Sequence, residues 1–264
     1  MIKMDMHTHS SNFSDGVSDI ITNLRMAEAL QLDLLACTDH LSVTDGNSFN
    51  RNGIVDDMVK IVNENKEKVP FVLLSGAEAE ILDTKGNVMI TEESYYKLDF
   101  VLAHALHVDG LFKNTPSSKA QFIENHINTY INVAKNPLVD CIGHPFNFGR
   151  LKTEFPISIG DFSDNQIKEM AIAMKNTNTL FDMMNEVWWW YPEVTIKNFE
   201  KQYKRIINNC SQEGVKFITS SDSHKHQGIG NVGWSVRMLN ECNVKEDQIF
   251  SLEDLTWLKE KHTR

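Results

Sequence analysis

Two histidines one residue apart, His7 and His9, sit near the start of the chain in the stretch MDMHTHSSNFSDG, residues 4–16. On a strand, residues i and i+2 share a face, so both rings can address one point. Neutral imidazole together with carboxylate is the ligand set for borderline and hard divalent metals. The same residue types recur along the chain. Asp15 closes the SSNFSDG turn, and LLACTDH carries Asp39 and His40. SGAEAEI carries Glu78 and Glu80, VLAHALHV carries His104 and His107, and CIGHPF carries His144. FDMMNE ends in Asn185 and Glu186, and SSDSHKH holds Asp222, His224 and His226. One His pair at this spacing is weak evidence for a metal. A His or carboxylate ending one apolar run after another is much stronger.

Several neighbours invite blander readings. Asp5, on the face of His7 and His9, suits either an acceptor that orients an imidazole or a plain hydrogen-bonding role. Asp39 suits the same two roles. Glu80 reads as a hairpin residue, His226 as a loop residue, and His126 and His262 as incidental helical residues.

The elements that carry these groups are short apolar runs alternating with longer amphipathic stretches. Strands are expected at 2–7, 33–38, 71–77, 99–106, 139–143, 179–184 and 215–220. Helices are expected at 18–31, 54–68, 118–135, 164–176, 195–213, 231–241 and 252–261. The turn at Asp83-Thr84-Lys85-Gly86-Asn87 suggests a small β excursion over 79–91. Repeated strand–helix alternation argues for a parallel α/β sheet. About seven such units without a dinucleotide-binding glycine fingerprint favour a barrel. Barrel enzymes assemble their sites at the rim where the strands end, which is where the His, Asp and Glu residues fall.

The 264 residues, 41% of them hydrophobic, fit one globular domain spanning 1–264. The net charge of −10 disfavours long nucleic acid and acidic membrane surfaces as partners. The four cysteines form no C-x-x-C pair, which fits a reducing, cytoplasmic setting. No signal-peptide-like or membrane-spanning apolar run is evident.

Taken in order, HTHSSNFSDG, TDH, GAE, IGHP and SDSH followed by GIG resemble the polymerase and histidinol phosphatase (PHP) family. The likeness runs from residue 7 to about residue 230. It implies an α/β fold, a distorted seven-stranded (β/α) barrel of PHP type, holding two or three divalent metal ions (Zn, Mn or Fe). It also implies roles. His7, His9 and Asp222 would bind a first ion, and Glu78 would bridge it to a second. His144 and a histidine of LAHALH would complete the second, His107 being preferred as the strand tip and His104 the fallback. Asp15, His40 and His224 would hold a third.

The implied activity is hydrolysis of a small phosphate monoester on a phosphorylated metabolite. Six positive charges on three ions would outweigh the three carboxylates and attract a phosphate dianion. A hydroxide shared by two ions would attack phosphorus in line. Glu78, Asp222 and His224 are the expected catalytic residues, with His224 or a third ion assisting the leaving alkoxide. The size and the SDG turn are similar to stand-alone histidinol-phosphate phosphatases. Trp188, Trp189 and Trp190 after Asn185-Glu186 depart from that subgroup's pattern. Trp188 is a candidate for stacking on a base or imidazole. Arg150, Lys225 and Arg237 are candidate phosphate-reading cations. An exposed tryptophan cluster would instead suggest contact between subunits of a homo-oligomer. Three alternatives stand beside the phosphatase: a phosphodiesterase, nucleotide phosphatase or exonuclease-like PHP enzyme; a non-catalytic, metal-stabilised interaction module; and a zinc amidohydrolase, whose carboxylated lysine has no counterpart here.

Overall fold

The computed structural model describes residues 3–42, 53–149 and 155–263. Its strands are β1 (Met4–Asp5), β2 (Leu34–Cys37), β3 (His40–Leu41), β4 (Val72–Glu80), β5 (Phe100–His104), β6 (Cys141–Ile142), β7 (Leu180–Met184) and β8 (Phe217–Ser220). The helices are α1 (Ile20–Ala29), α2 (Ile54–Lys66), α3 (Glu92–Tyr95), α4 (Lys119–Ala134), α5 (Asp164–Thr177), α6 (Ile196–Gln212), α7 (Gly233–Glu241) and α8 (Leu255–Lys261). Each expected strand has a counterpart. The helix expected at 252–261 divides into a 3-10 turn at Leu252–Asp254 followed by α8. The β excursion reduces to one antiparallel bridge between Ile81 and Val88 around the Asp83–Gly86 turn.

Among the described residues all the ladders between strands are parallel, in the order β1-β2-β4-β5-β6-β7-β8, with the short β3 also pairing β4. The sheet nearly closes where the chain's first segment meets β8. Met6 N–H donates to the Thr219 carbonyl at 3.2 Å, and Asp222 N–H donates to the His7 carbonyl at 2.9 Å. The result is a nearly closed seven-stranded parallel barrel. Its strands are apolar and buried because helices cover the outside and side chains fill the inside.

Local chemistry sets the helix boundaries. Asp19, Ser118, Ser163 and Thr195 cap α1, α4, α5 and α6 by accepting from the third following backbone N–H. Asn178 stops α5 in a left-handed conformation. α1 packs Ile20, Leu24 and Ala27 against Leu35, Cys37 and Leu73 of the barrel wall. Cys37, Cys141 and Cys210 are buried, and all four cysteines are unpaired. Among the described residues no helix is long and apolar enough to cross a membrane.

Candidate metal centre

The carboxyl ends of the strands converge on Glu78, which is 1% exposed. Five imidazoles face it. On Oε1 these are His144 Nε2 at 3.1 Å, His7 Nε2 at 3.2 Å and His104 Nδ1 at 3.3 Å; on Oε2 they are His40 Nδ1 at 2.6 Å and His9 Nε2 at 3.6 Å. The buried segment that follows β1 carries His7 and His9, with ring centroids 5.0 Å apart. Asp222, in the turn after β8, comes to 3.0 Å from His9 Nε2 and 3.5 Å from His7 Nε2. At the mouth, Asp15 Oδ1 lies 3.3 Å from His40 Nε2 and 3.2 Å from His224 Nε2.

The donor atoms fall into four overlapping groups, each with its ligand atoms within 4.8 Å of one another. They are His7, His9 and Asp222; His7, Glu78 and His144; His40, Glu78 and His104; and His9, Asp15, His40 and His224.

The strand ends alone do not hold these side chains in place; a surrounding set of carboxylates and tight turns does. Asp182, fully buried on β7, accepts from the His144 backbone N–H at 3.1 Å and from Ser220 Oγ at 2.5 Å, and lies 3.1 Å from His7 Nδ1. Asp39 takes the Ser10 backbone N–H, the Ser10 hydroxyl and the Ser14 hydroxyl, tying down the turn that presents Asp15. Gly16 lets that turn close, since a Cβ there would stand 2.5 Å from the Ser10 backbone. Asp5 accepts from Ser221 and Gly230, so it anchors the segment after β8 and does not reach an imidazole.

Two expected ligands have left-handed backbones: His144 at φ 28° and Asp222 at φ 53°. Non-glycine residues keep such conformations only where the surroundings over-determine them, which is typical of functional sites. Near His144 those surroundings are three buried tyrosines. Tyr130 Oη accepts from Phe146 N–H, Tyr191 donates to the Phe146 carbonyl, and Tyr203 donates to the Pro145 carbonyl. Phe146 is itself left-handed, at φ 68°.

The charges inside the cluster oppose one another. Burial disfavours the Glu78 carboxylate, but His104, His7 and His40 hold its pKa well below the ordinary value. Burial also works against a charged His7, yet Glu78 and Asp222 raise its pKa well above normal. His40 is raised to about 10 by Glu78 and Asp15 against its burial. His9 is pushed down to about 3 by burial and by the neighbouring His40, and His104 to about 4, mainly by burial.

Many of these close atoms are not aligned as hydrogen bonds. His7 Nε2, both nitrogens of His9, His104 Nε2, His144 Nδ1, Glu78 Oε2 and Asp222 Oδ1 are buried without a hydrogen-bond partner. Orphaned buried polar atoms are rare and costly. Imidazole and carboxylate lone pairs converging on shared points account for His7 Nε2, His9 Nε2, Glu78 Oε2 and Asp222 Oδ1, so the donor set fits divalent cations.

Of the nine expected ligands, eight enter the cluster: His7, His9, Asp15, His40, Glu78, His144, Asp222 and His224. His107 does not. β5 ends at His104, whose side chain shares the inward face with Leu102, so His104 takes the position expected for His107. The strand stops two residues short of the expected end at 106. His107 is half exposed in the following turn, with Nδ1 2.7 Å from Glu80. Glu80 is likewise no isolated hairpin residue: it is buried, and it also accepts from the Ser42 hydroxyl at 2.8 Å.

The substrate-reading residues fare less well. Arg150 lies outside the described residues. Lys225 is exposed in the loop after β8, and its hydrogen bonds run through its backbone. Arg237 is engaged by Glu200 and Glu241. Trp188 and Trp190 both pack against the core, and it is the Trp190 ring that lies beside His144, with ring centroids 5.0 Å apart.

The residue that sequence reasoning missed is Asp182. Its only signal was a single charge inside the apolar run LFDMM. His262 is not incidental, since it binds the Tyr95 carbonyl at 2.9 Å and Asp140 at 2.8 Å.

A family model described as PHP domain matches residues 5–186. Asp222 and His224 therefore lie beyond the matched segment. The chain is 28% identical over 246 residues to a probable phosphatase of Acetivibrio thermocellus, covering 91% of this chain and 87% of that protein. It is 29% identical over 266 residues to a probable phosphatase of Clostridium botulinum, covering 98% and 95%. The fold is similar to that of a histidinol phosphate phosphatase from Lactococcus lactis, crystallised with zinc, L-histidinol and phosphate. The TM-score is 0.67 at 15% identity, over 92% of this chain and 94% of the other. A putative histidinol phosphatase from Listeria monocytogenes gives a TM-score of 0.59 at 19% identity, over 88% and 99%. At these identities the two structures speak to the fold alone, and it is the same barrel.

Proposed function

The chain belongs to the PHP family of metal-dependent phosphoesterases, and from that premise we propose that it is a phosphatase acting on a small phosphate monoester. The observation that carries this reading is the Glu78 carboxylate ringed by five imidazoles, with so many buried donor atoms left unaligned. In our assignment His7, His9, Asp222 and Glu78 hold one cation. Glu78, His104 and His144 hold a second, and Asp15, His40 and His224 a third. Zinc, manganese and iron all suit this nitrogen and oxygen set. When bound, such ions lower the pKa of water toward neutrality and supply positive charge for phosphate oxygens.

The chain's own residues do the positioning. Asp182 holds His7 and the His144 backbone so that both rings meet at Glu78. Asp39 and Gly16 hold Asp15 over the mouth. Trp190 gives the entrance a flat aromatic wall beside His144, which suits a phosphorylated metabolite whose alcohol carries a ring. Histidinol phosphate is the example suggested by the Lactococcus protein's name. The same wall supports a nucleotide as a second reading. The net charge of −10 argues against long nucleic acid. We read residues 1–264 as one PHP domain, and the four unpaired thiols support a cytoplasmic setting.

The test is a phosphate-release screen with metal-replete protein over phosphorylated metabolites, mononucleotides and dinucleotides. Release from small monoesters alone supports the assignment. Nucleoside or nucleotide release from diesters moves it to phosphodiesterase chemistry.

A further inference from the structure

One charged pair at the mouth of the barrel belongs to none of the four ligand groups. Glu80 is 1% exposed and lies two residues beyond Glu78 on β4, on the same inward face. The strand rise puts it one layer, about 7 Å, nearer the opening. Its Oε2 accepts from the Ser42 hydroxyl at 2.8 Å, and its Oε1 lies 2.7 Å from His107 Nδ1. A carboxylate at that distance from Nδ1 is a hydrogen-bond acceptor, so Nδ1 carries the proton and Nε2 is the free working nitrogen. The His107 side chain is 47% exposed, and among the described residues nothing hydrogen-bonds its Nε2.

The histidines of the cluster are differently committed. His224 turns Nδ1 to the Asp222 carbonyl at 3.0 Å and Nε2 to Asp15. His40 lies between Glu78 and Asp15. His7, His9, His104 and His144 are buried around Glu78. His107 therefore combines three properties beyond the end of β5: Nδ1 held against a carboxylate, that carboxylate buried, and an Nε2 that nothing hydrogen-bonds among the described residues. That is the arrangement of an oriented acid–base imidazole.

We propose that His107, oriented by Glu80, is the general acid that protonates the leaving alkoxide. This rests on the phosphatase reading above and assigns the leaving-group role to His107 in place of His224. As the water oxygen bonds to phosphorus, the ester P–O bond breaks and its electron pair stays on the alcohol oxygen. That oxygen takes the Nε2 proton of the doubly protonated His107 ring, which is left as the neutral tautomer with its proton on Nδ1 facing Glu80, and leaves as the alcohol. The proton lost by the attacking water passes to solvent, from which the imidazole is recharged, so protons and electrons balance.

Two esters and two variants test this in metal-replete protein. One ester is an activated aryl phosphate, whose leaving group needs no proton. The other is an unactivated alkyl phosphate, whose leaving group does. His107→Gln is expected to lower kcat on the alkyl ester by about 100-fold or more and leave the aryl ester nearly unchanged. Glu80→Gln should fall between wild type and His107→Gln with the same ester dependence. A readout independent of turnover is 15N–1H NMR of the metal-free protein. It should show His107 protonated at Nδ1, with that signal shifted in Glu80→Gln.

Equal losses on both esters, or a drop in bound metal in His107→Gln, would overturn the assignment and leave the phosphatase reading standing. Wild-type protein that turns over neither ester overturns both.

Discussion

His7 Nδ1 stands 3.1 Å from the carboxylate of Asp182, which fixes which nitrogen of that ring turns toward Glu78. The same carboxylate holds the backbone of His144, so one buried acid positions two of the rings around Glu78. Asp182→Asn keeps the volume but weakens both contacts. Outer-shell partners of this kind are typically worth 10- to 100-fold in metal affinity. The variant should lose about that much, measured by competition with a chromophoric chelator. Unchanged affinity would show that Asp182 is merely a core hydrogen-bonding group.

Glu78→Gln removes the one charge that faces five imidazoles. Phosphate release should fall by at least ~100-fold. Near-wild-type turnover in metal-replete buffer would remove Glu78 from the centre of the account.

The tyrosine contacts behind His144 make a separate prediction. Tyr191→Phe deletes the hydroxyl that binds the Phe146 carbonyl, in a segment with two left-handed residues. The loss should be about 1 kcal/mol, or about 2–4 °C in Tm. Metal affinity should fall with it, because His144 is set by that segment. A lower Tm at unchanged affinity would confine the clamp to stability.

Acid sensitivity should arise also at the opposite end of the barrel. Asp140 is buried, which alone would raise its pKa, but His262 and Lys261 outweigh burial and hold it below the ordinary carboxylate value. Tyr95 and the Val101 N–H also donate to it. A carboxyl with a depressed folded pKa stabilises the fold above its unfolded pKa of about 4 and loses that contribution as pH falls through the folded value. Asp140→Asn should therefore be less stable than wild type by about 3 kcal/mol at neutral pH. Thermal melts below pH 4 should show the gap narrowing. A gap independent of pH contradicts the assignment.

Much of this was legible in the sequence because parallel strands buried on both faces must be apolar. A His or carboxylate at the end of such a run then stands out, as His40, Glu78, His144 and Asp222 do. Alternation alone pairs His7 with His9. The choice between His104 and His107 was not legible, because it turns on where β5 ends, a matter of two residues. Asp182 and Asp5 illustrate another limit. Each is a lone acid in a buried strand, yet one orients an imidazole and the other anchors the segment after β8. Only the crossing of distant strands decides between those roles. Arg237 reads as available for phosphate because a sequence cannot show that Glu200 and Glu241 engage it.

The most direct test of the central claim is reconstitution. Protein stripped with a chelator should release no phosphate from a small monoester. Adding zinc or manganese should restore release, saturating at two to three equivalents per chain. Tight binding of less than one equivalent, or equal turnover by stripped and loaded protein, would contradict a multi-metal centre built around Glu78.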